Sequence, residues 1–255
     1  MSFDHAVILA LIEGITEFLP ISSTGHMILA AKLLNIPQTE FAKSFEIIIQ
    51  LGAIMAVASI YMQTLFTNKK LWMPLILAFV PTAIMGFTLY PFIKNVLLEN
   101  SMITAASLFL GGLVLILFDK YHKKTAQITP STLTPKNALM IGLFQSISVI
   151  PGVSRAAATI IGGMITGLSK KDAVEFSFLL ALPTMAAATL LDVIKNREVF
   201  TQGNIGILLL GCAIAYISAL ITVKKFLTYV KTHSFASFGV YRIVLAVLFA
   251  LYAFR

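Results

Sequence analysis

Long uninterrupted runs of apolar residues are the feature that most limits how this chain can fold. About 20 such residues cross the roughly 30 Å hydrocarbon core of a bilayer, and six segments come near that length. The composition agrees, because 58% of the residues are hydrophobic and only 12% are charged, unlike a soluble domain. We therefore expect an all-α integral membrane protein with transmembrane helices near 44–64, 71–92, 101–118, 173–192, 204–223 and 236–254.

The positive charges indicate how these helices are oriented. Lys and Arg outnumber Asp and Glu by 19 to 11, but they lie in short connectors between apolar runs, so no nucleic-acid partner is expected. Eleven cations fall on one predicted side, six on the other and two, Arg155 and Arg242, inside the membrane. The richer side should be cytoplasmic, which places the N-terminus outside. Arg242 is expected to be paired or to snorkel.

Two further apolar stretches, 5–34 and 137–168, are broken in the middle. Pro20 and SSTG interrupt the first, and PGVSR at 151–155 interrupts the second. Unpaired backbone groups cost several kcal/mol in hydrocarbon, so a broken segment survives only where protein or a water-filled cavity surrounds it. Each stretch is therefore predicted to be a re-entrant helix-loop-helix hairpin.

One hairpin and three crossings occur twice, which predicts an inverted-topology repeat. The strings LPISS and IPGVS in the two hairpins, and FEIIIQLGA and FSFLLALPT after them, support the duplication. Because three crossings is an odd number, the second unit must be inverted, with a site between the repeats. We expect one membrane domain, made of a first repeat at 1–118, a cytoplasmic connector at 119–136 and a second repeat at 137–255.

The hairpins hold ionisable residues, whose burial in a membrane has a high free-energy cost. Glu13 and Glu17 share one helical face, where their charges repel unless one is protonated or a cation lies between them. A divalent cation such as Mg²⁺ or Ca²⁺ suits their oxygens. The alternative is a solvated, idle pair.

The loop after Pro20 offers backbone N–H groups and hydroxyls to an anion, or caps for the next helix. Gly25 is expected to take a left-handed backbone conformation. The candidate substrate-binding residues of this loop are Ser22, Thr24 and Gly25, and Ser23 is a candidate catalytic residue.

The second hairpin and the adjacent crossing add further candidates. Ser154 and Arg155 follow PG, and a guanidinium suits phosphate oxygens. His26 could be a hydrogen-bonding residue, a metal ligand or a nucleophile. If the hairpin tips meet, their side chains suit phosphoryl chemistry. Glu46 and Gln50 are expected to form an outer layer or line a lipid cleft, with a buried hydrogen-bonded pair as the alternative.

The stretches EGITEFLPISSTGHMIL, FEIIIQLGAI, PGVSRAAATI and EFSFLLALP resemble the bacterial undecaprenyl-pyrophosphate phosphatase family, also called the bacitracin-resistance protein family. The resemblance covers nearly the whole chain. It implies a hydrolase of the bacterial inner membrane that removes the terminal phosphate of the C55 isoprenoid pyrophosphate. Undecaprenyl phosphate would return to peptidoglycan and cell-envelope synthesis. With the first hairpin opening outward, the active site should face the periplasmic or extracellular side.

The resemblance also implies roles for individual residues. The family's acidic motif falls on Glu13 and Glu17, its serine and histidine on Ser23 and His26, and its arginine on Arg155. The family's GxSRSG reads GVSRAA here. Two alanines, Ala156 and Ala157, thus replace a serine and a glycine, and we expect activity to survive.

Several alternatives remain open from the sequence. Ser23 could attack after losing its proton to His26 or Glu17, His26 could itself be phosphorylated, or a metal-bound water could act directly. The competing function is a transporter or flippase of a phosphate-bearing polyprenyl lipid, because broken helices in inverted repeats are common in transporters. The bilayer, the polyprenyl pyrophosphate and a second copy in a homodimer are the partners considered.

Overall fold

The computed structural model describes residues 1–98, 100–122, 128–199 and 202–253. Most of these residues are helical, and their only β-type pairing is an isolated bridge between Ile128 and Leu168. The α-helices are α1 Phe3–Thr16, α2 Ser23–Leu33, α3 Glu40–Thr67, α4 Trp72–Thr88, α5 Tyr90–Phe92, α6 Ser101–Tyr121, α7 Pro135–Ser146, α8 Arg155–Ile165, α9 Lys170–Lys195, α10 Gln202–Tyr229 and α11 Ala236–Ala253. The all-α prediction is confirmed for the described part of the chain.

In the described part of the chain, five helical segments are long and apolar enough to cross a membrane. They are Glu40–Thr67, Lys69–Thr88, Ser101–Tyr121, Lys170–Lys195 and Asn204–Tyr229. The predicted crossing at 236–254 corresponds to the shorter apolar helix α11, and its residue 254 lies outside the described residues. The protein is therefore a multi-pass membrane protein.

The predicted crossing at 71–92 ends early. Helix α4 stops at Thr88, and a short helical turn, α5, follows before a π-helical turn at Ile93–Leu97. Pro91 has no backbone N–H and so cannot continue the α4 hydrogen-bond ladder. The chain therefore turns at this end of the bundle instead of extending the crossing to residue 92.

Large apolar side chains cover the outer faces of the bundle. Phe87 on α4 is 66% exposed, and Leu209 on α10 and Leu251 on α11 are exposed to a similar degree. A soluble monomer rarely leaves contiguous apolar surface of this extent in water, whereas lipid accepts it.

The first part of the chain, α1 to α6, and the second part, α7 to α11, are interleaved. Helix α1 packs most extensively on α10, and α7 packs on α4. Helix α3 lies against both α9 and α10, while α6 pairs with α11. Small residues permit these close crossings: a side chain at Gly14 would collide with α10, and one at Gly142 with α4.

Candidate active site

The first loop joins α1 to α2 and carries the acidic motif at one end and the serine run at the other. Helix α1 ends at Thr16, so Glu17 is the first residue after it. Ser22 caps α2, because its hydroxyl accepts a hydrogen bond from the Gly25 N–H at 3.2 Å. Ser23 is then the first residue of α2 and points its hydroxyl back toward the loop.

The second loop repeats this construction. Ser154 caps α8 by accepting a hydrogen bond from the Ala157 N–H at 3.1 Å, and Arg155 is the first residue of α8. Ser22 and Ser154 share an unusual backbone conformation, with φ of 70° and 76°. L-amino acids other than glycine rarely adopt positive φ and pay strain there.

This geometry corrects the prediction for Gly25. The left-handed residue of the first loop is Ser22, while Gly25 lies in the first turn of α2. A side chain at Gly25 would instead press on Ser22 Oγ and on Leu108 of α6. The glycine is needed for close packing at the start of the helix.

Glu17 is the point at which the two loops meet. Its Oε1 accepts a hydrogen bond from Arg155 Nη2 at 2.8 Å, and its Oε2 accepts one from the Ser23 hydroxyl. Glu17 and Arg155 are both about nine-tenths buried. A carboxylate bonded to a serine hydroxyl is the arrangement of a general base and its nucleophile.

The Arg155 guanidinium is held from several sides. Nη1 donates to the Ser177 carbonyl of α9 at 2.8 Å, and the Thr159 hydroxyl donates to Ser177 Oγ at 2.6 Å. The group lies 5.6 Å from the centre of the Phe18 ring, within cation–π range. Its Nε is buried and has no hydrogen-bond partner in the described structure, so one donor of the group is unsatisfied.

Glu13 lies one turn before Glu17 and is fully buried. Neither of its oxygens forms a hydrogen bond of standard geometry among the described residues, although Glu17 and Ser23 lie close by. The described residues contain no cluster of three or more His, Cys, Asp or Glu side chains able to hold a metal. The oxygen donors of the two glutamates nevertheless suit a hard cation completed by water or phosphate.

His26 lies apart from the Glu17, Ser23 and Arg155 group. Its Nδ1 is 2.7 Å from the Ser22 carbonyl oxygen, and its Nε2 is 2.8 Å from the Tyr241 hydroxyl. Because the carbonyl can only accept, Nδ1 carries the proton and Nε2 of the neutral ring accepts from Tyr241. The imidazole also stacks on the Tyr241 ring. Nδ1 thus binds the capping residue of its own helix, and Nε2 attaches α2 to α11.

A cavity of about 540 Å³ opens from this group. Its polar end is formed by residues of both loops, and its walls from α4 and α9 are mainly apolar side chains. Neither Glu13, Gly25 nor His26 lines it. The candidate residues that do are Glu17, Ser22, Ser23, Thr24, Ser154, Arg155, Glu46 and Gln50.

Glu46 and Gln50 lie on the cavity face of α3 together with Lys43. Glu46 is buried, and its Oε1 has no hydrogen-bond partner in the described structure. Lys43 is also buried and pairs with Glu40 at 3.3 Å. The cavity wall thus continues the polar character of the loops along one helical face.

Sequence reasoning did not identify Ser177, Thr159 or Tyr241 as contributors to the site. Ser177 and Thr159 could have been noticed as polar residues in apolar runs. That pattern does not reveal that Ser177 binds Arg155 or that Thr159 binds Ser177. The two alanines that depart from the family pattern, Ala156 and Ala157, are buried in the core and do not line the cavity.

The sequence matches a known protein family over most of its length. A model of the family described as bacitracin resistance protein BacA matches residues 6–248. The chain is 51% identical over 247 residues to an undecaprenyl-diphosphatase of Aquifex aeolicus, with 96% of each chain covered. It is 45% identical over 254 residues to an undecaprenyl-diphosphatase of Wolinella succinogenes, which covers 99% of this chain and 98% of the relative.

Proposed function

The chain belongs to the bacitracin resistance protein BacA family, and we propose that it hydrolyses undecaprenyl diphosphate to undecaprenyl phosphate and inorganic phosphate. The observation that carries the proposal is the Glu17 carboxylate, which binds both the Ser23 hydroxyl and the Arg155 guanidinium. The reaction would return the lipid carrier to peptidoglycan synthesis and so support cell-wall biogenesis and cell shape. The family name supports a role in bacitracin resistance.

In the mechanism we favour, Ser23 is the nucleophile and Glu17 the base. Glu17 takes the hydroxyl proton as Ser23 Oγ attacks the terminal phosphorus. The Oγ–P bond forms while the bridging P–O bond breaks, and undecaprenyl phosphate leaves with the electron pair. Water then hydrolyses the phosphoserine, releasing inorganic phosphate and regenerating the hydroxyl. The position of His26 against Tyr241 favours Ser23 over His26 as the attacking group.

Arg155 is suited to neutralise the charge that develops on the phosphoryl oxygens. Its unsatisfied Nε lies on a guanidinium fixed by Glu17 and by the Ser177 carbonyl. A preorganised donor of this kind costs no reorientation when the bridging bond breaks. Backbone N–H groups at the start of α2, around Thr24, add donors at the same end of the cavity.

We also propose a divalent cation, Mg²⁺ or Ca²⁺, held by Glu13 and Glu17. The two oxygens of Glu13 support this assignment, because neither forms a hydrogen bond of standard geometry among the described residues. When bound, the cation would supply positive charge to the diphosphate. Loss of phosphate release on chelation, with recovery on adding back one cation, would be the expected result.

The apolar part of the cavity fits a polyprenyl chain. Phe87, Leu190 and Ile194 line it and are strongly exposed, so they are not covered by other parts of the described structure. The cavity therefore reaches the lipid-facing side of the bundle between α4 and α9. A lipid substrate could place its diphosphate at Arg155 while its tail leaves into the bilayer.

The inverted repeat and the two re-entrant hairpins belong to the same proposal. Their support is structural: two strained serine caps, each followed by an 11-residue helix. The interleaved packing of α1 on α10 and of α7 on α4 is the pattern that two related halves would produce. Glu13 and Gln145, both fully buried, stand nine residues before Ser22 and Ser154.

We propose that the site faces the periplasmic or extracellular side of the inner membrane, as the Lys and Arg distribution suggests. Exposed Pro37 precedes α3 and exposed Lys70 follows it, so they mark opposite ends of that crossing. With Cys212 replaced by Ala, a membrane-impermeant thiol reagent on intact cells should label Pro37→Cys and not Lys70→Cys. The reverse pattern would overturn the orientation. The homodimer stays a prediction, which a mass measurement of the purified protein in detergent would test.

The decisive test of function is phosphate release by purified protein in detergent. C55 and C15 prenyl diphosphates should both be tried, with Ser23→Ala and Arg155→Lys beside the wild type. Release by the wild type and its loss in both variants is expected. Binding without release would instead favour the transporter or flippase.

A further inference from the structure

Arg242 is a fully buried arginine that no step of the proposed reaction uses. It lies on α11 with 0% exposure, so it does not snorkel to the membrane surface. No salt bridge to Arg242 is found in the described structure, so it is not paired with a carboxylate either. A buried charge without a counter-charge is costly unless hydrogen bonds replace its hydration.

Hydrogen bonds do satisfy this guanidinium. Its five contacts all end on backbone carbonyls: Ser107 at 3.1 Å and Leu108 at 3.3 Å on α6, Pro20 at 3.2 Å, Gly152 at 2.7 Å and Val153 at 3.0 Å. A guanidinium has five N–H donors, which matches the number of bonds. The group therefore binds both loops of the active site and the helix beside them.

The surrounding backbone is shaped to admit this side chain. Gly111 on α6 has no side chain, and a Cβ there would overlap Nη2 of Arg242. Among the described residues, no backbone N–H donates to the carbonyls of Pro20, Gly152 or Val153. Arg242 therefore provides the hydrogen bonds that these loop carbonyls would otherwise lack.

Resting on the proposed hydrolysis, we propose that Arg242 is a positioning residue that sets the distance between the two loops. Pro20 lies midway between Glu17 and Ser23, and Val153 is two residues before Arg155. By holding both carbonyls, Arg242 fixes the separation across which Glu17 reaches Arg155. Tyr241, the preceding residue on α11, fixes α2 through His26.

The first experiment separates positioning from general stability by comparing variants of Arg242 and Gly111. Arg242→Lys keeps the charge but has at most three donors, and Gly111→Ala displaces the guanidinium without removing it. Val244→Ala, at an exposed position of α11, is the control. A misplacement of about 1 Å costs about 10²-fold in rate. We expect kcat to fall about tenfold or more in Arg242→Lys, less in Gly111→Ala, and not in the control, with KM nearly unchanged.

A double-mutant comparison adds a readout that simple destabilisation would not produce. If Arg242 acts by aligning Glu17 with Arg155, then Arg242→Lys should cause little further loss of kcat in a Glu17→Gln background. Losses that multiply independently would overturn the proposal, as would a kcat of Arg242→Lys equal to that of the wild type.

Hydrogen–deuterium exchange tests the same proposal without activity. Arg242→Lys and Gly111→Ala should accelerate exchange in both loops, 17–23 and 149–155, while Val244→Ala should not. Acceleration confined to α6 and α11 would mean that Arg242 only packs these helices, and would overturn the proposal. If the wild type releases no phosphate, the proposed function fails, while the exchange result still decides the role of Arg242.

Discussion

Glu17 joins Ser23 to Arg155, and its hydrogen bond with Arg155 links residues that lie 138 positions apart along the chain. Glu17→Gln keeps the side-chain shape but removes the base and leaves the arginine without its counter-charge. We expect kcat to fall by about 10² to 10⁴, the usual contribution of general acid–base catalysis. Steady-state phosphate release measures this loss.

Glu46→Gln is the matched control for that variant. Glu46 also lines the cavity and is buried, but it has no hydrogen bond to Ser23 or Arg155. It should retain most of the activity. Equal losses in the two variants would show that any cavity carboxylate suffices and would remove Glu17 from its role as base.

Ser23 and His26 can be separated by the chemistry of a trapped intermediate. Quenching turnover of a substrate labelled on its terminal phosphate should leave acid-stable label on Ser23, since phosphohistidine is acid-labile. His26→Gln should still accumulate this label, although more slowly, because the substitution loosens the attachment of α2 to Tyr241. Label on His26 in the wild type would contradict the serine mechanism, and absence of any label would favour direct attack by water.

At the scale of elements, the N-terminus of α8 combines a helix cap with a strained backbone. Ser154→Gly loses the cap but relieves the positive φ, whereas Ser154→Ala loses the cap and keeps the strain. Replacing a cap by alanine costs about 0.5–2 kcal/mol, and by glycine only a few tenths. Ser154→Ala should therefore unfold at lower temperature than Ser154→Gly, as measured by thermal unfolding in detergent. The opposite order would show that the backbone at this position is unstrained.

The two broken elements could be predicted from sequence because polar residues and proline stand out in apolar runs. The same reasoning assigned the left-handed conformation to Gly25, since glycine adopts it without strain. The structure gives it to Ser22, whose hydroxyl caps α2. A local pattern does not reveal that Gly25 is needed for contact with Leu108 of another helix.

Residues that act through distant partners were beyond the reach of sequence reasoning. Arg242 was expected to be paired or snorkelling, because these are the usual ways in which the charge of a lone arginine in an apolar run is compensated or kept in water. Its actual acceptors are backbone carbonyls of three separate segments. Similarly, His26 was placed near Ser23 by sequence proximity, but its ring turns toward Tyr241 on α11. Such orientations depend on tertiary packing.

At the scale of the whole molecule, the helices of each part complete those of the other. Helix α1 finds its main partner in α10, and α4 finds its partner in α7. The catalytic residues also come from both parts, because Glu17 and Ser23 belong to the first and Arg155 belongs to the second. Neither part alone therefore contains a closed core or a complete site.

This interdependence predicts the behaviour of a split protein. Fragments 1–122 and 128–255, expressed separately, should be degraded or should aggregate, because α1 and α7 each lose the helix on which they pack most extensively. Expressed together, they should copurify and release phosphate from a prenyl diphosphate, since no pairing of helices described in the structure is lost. A fragment that alone gives a monodisperse sample with a cooperative unfolding transition would contradict this, as it would show that the interleaved packing is dispensable for folding.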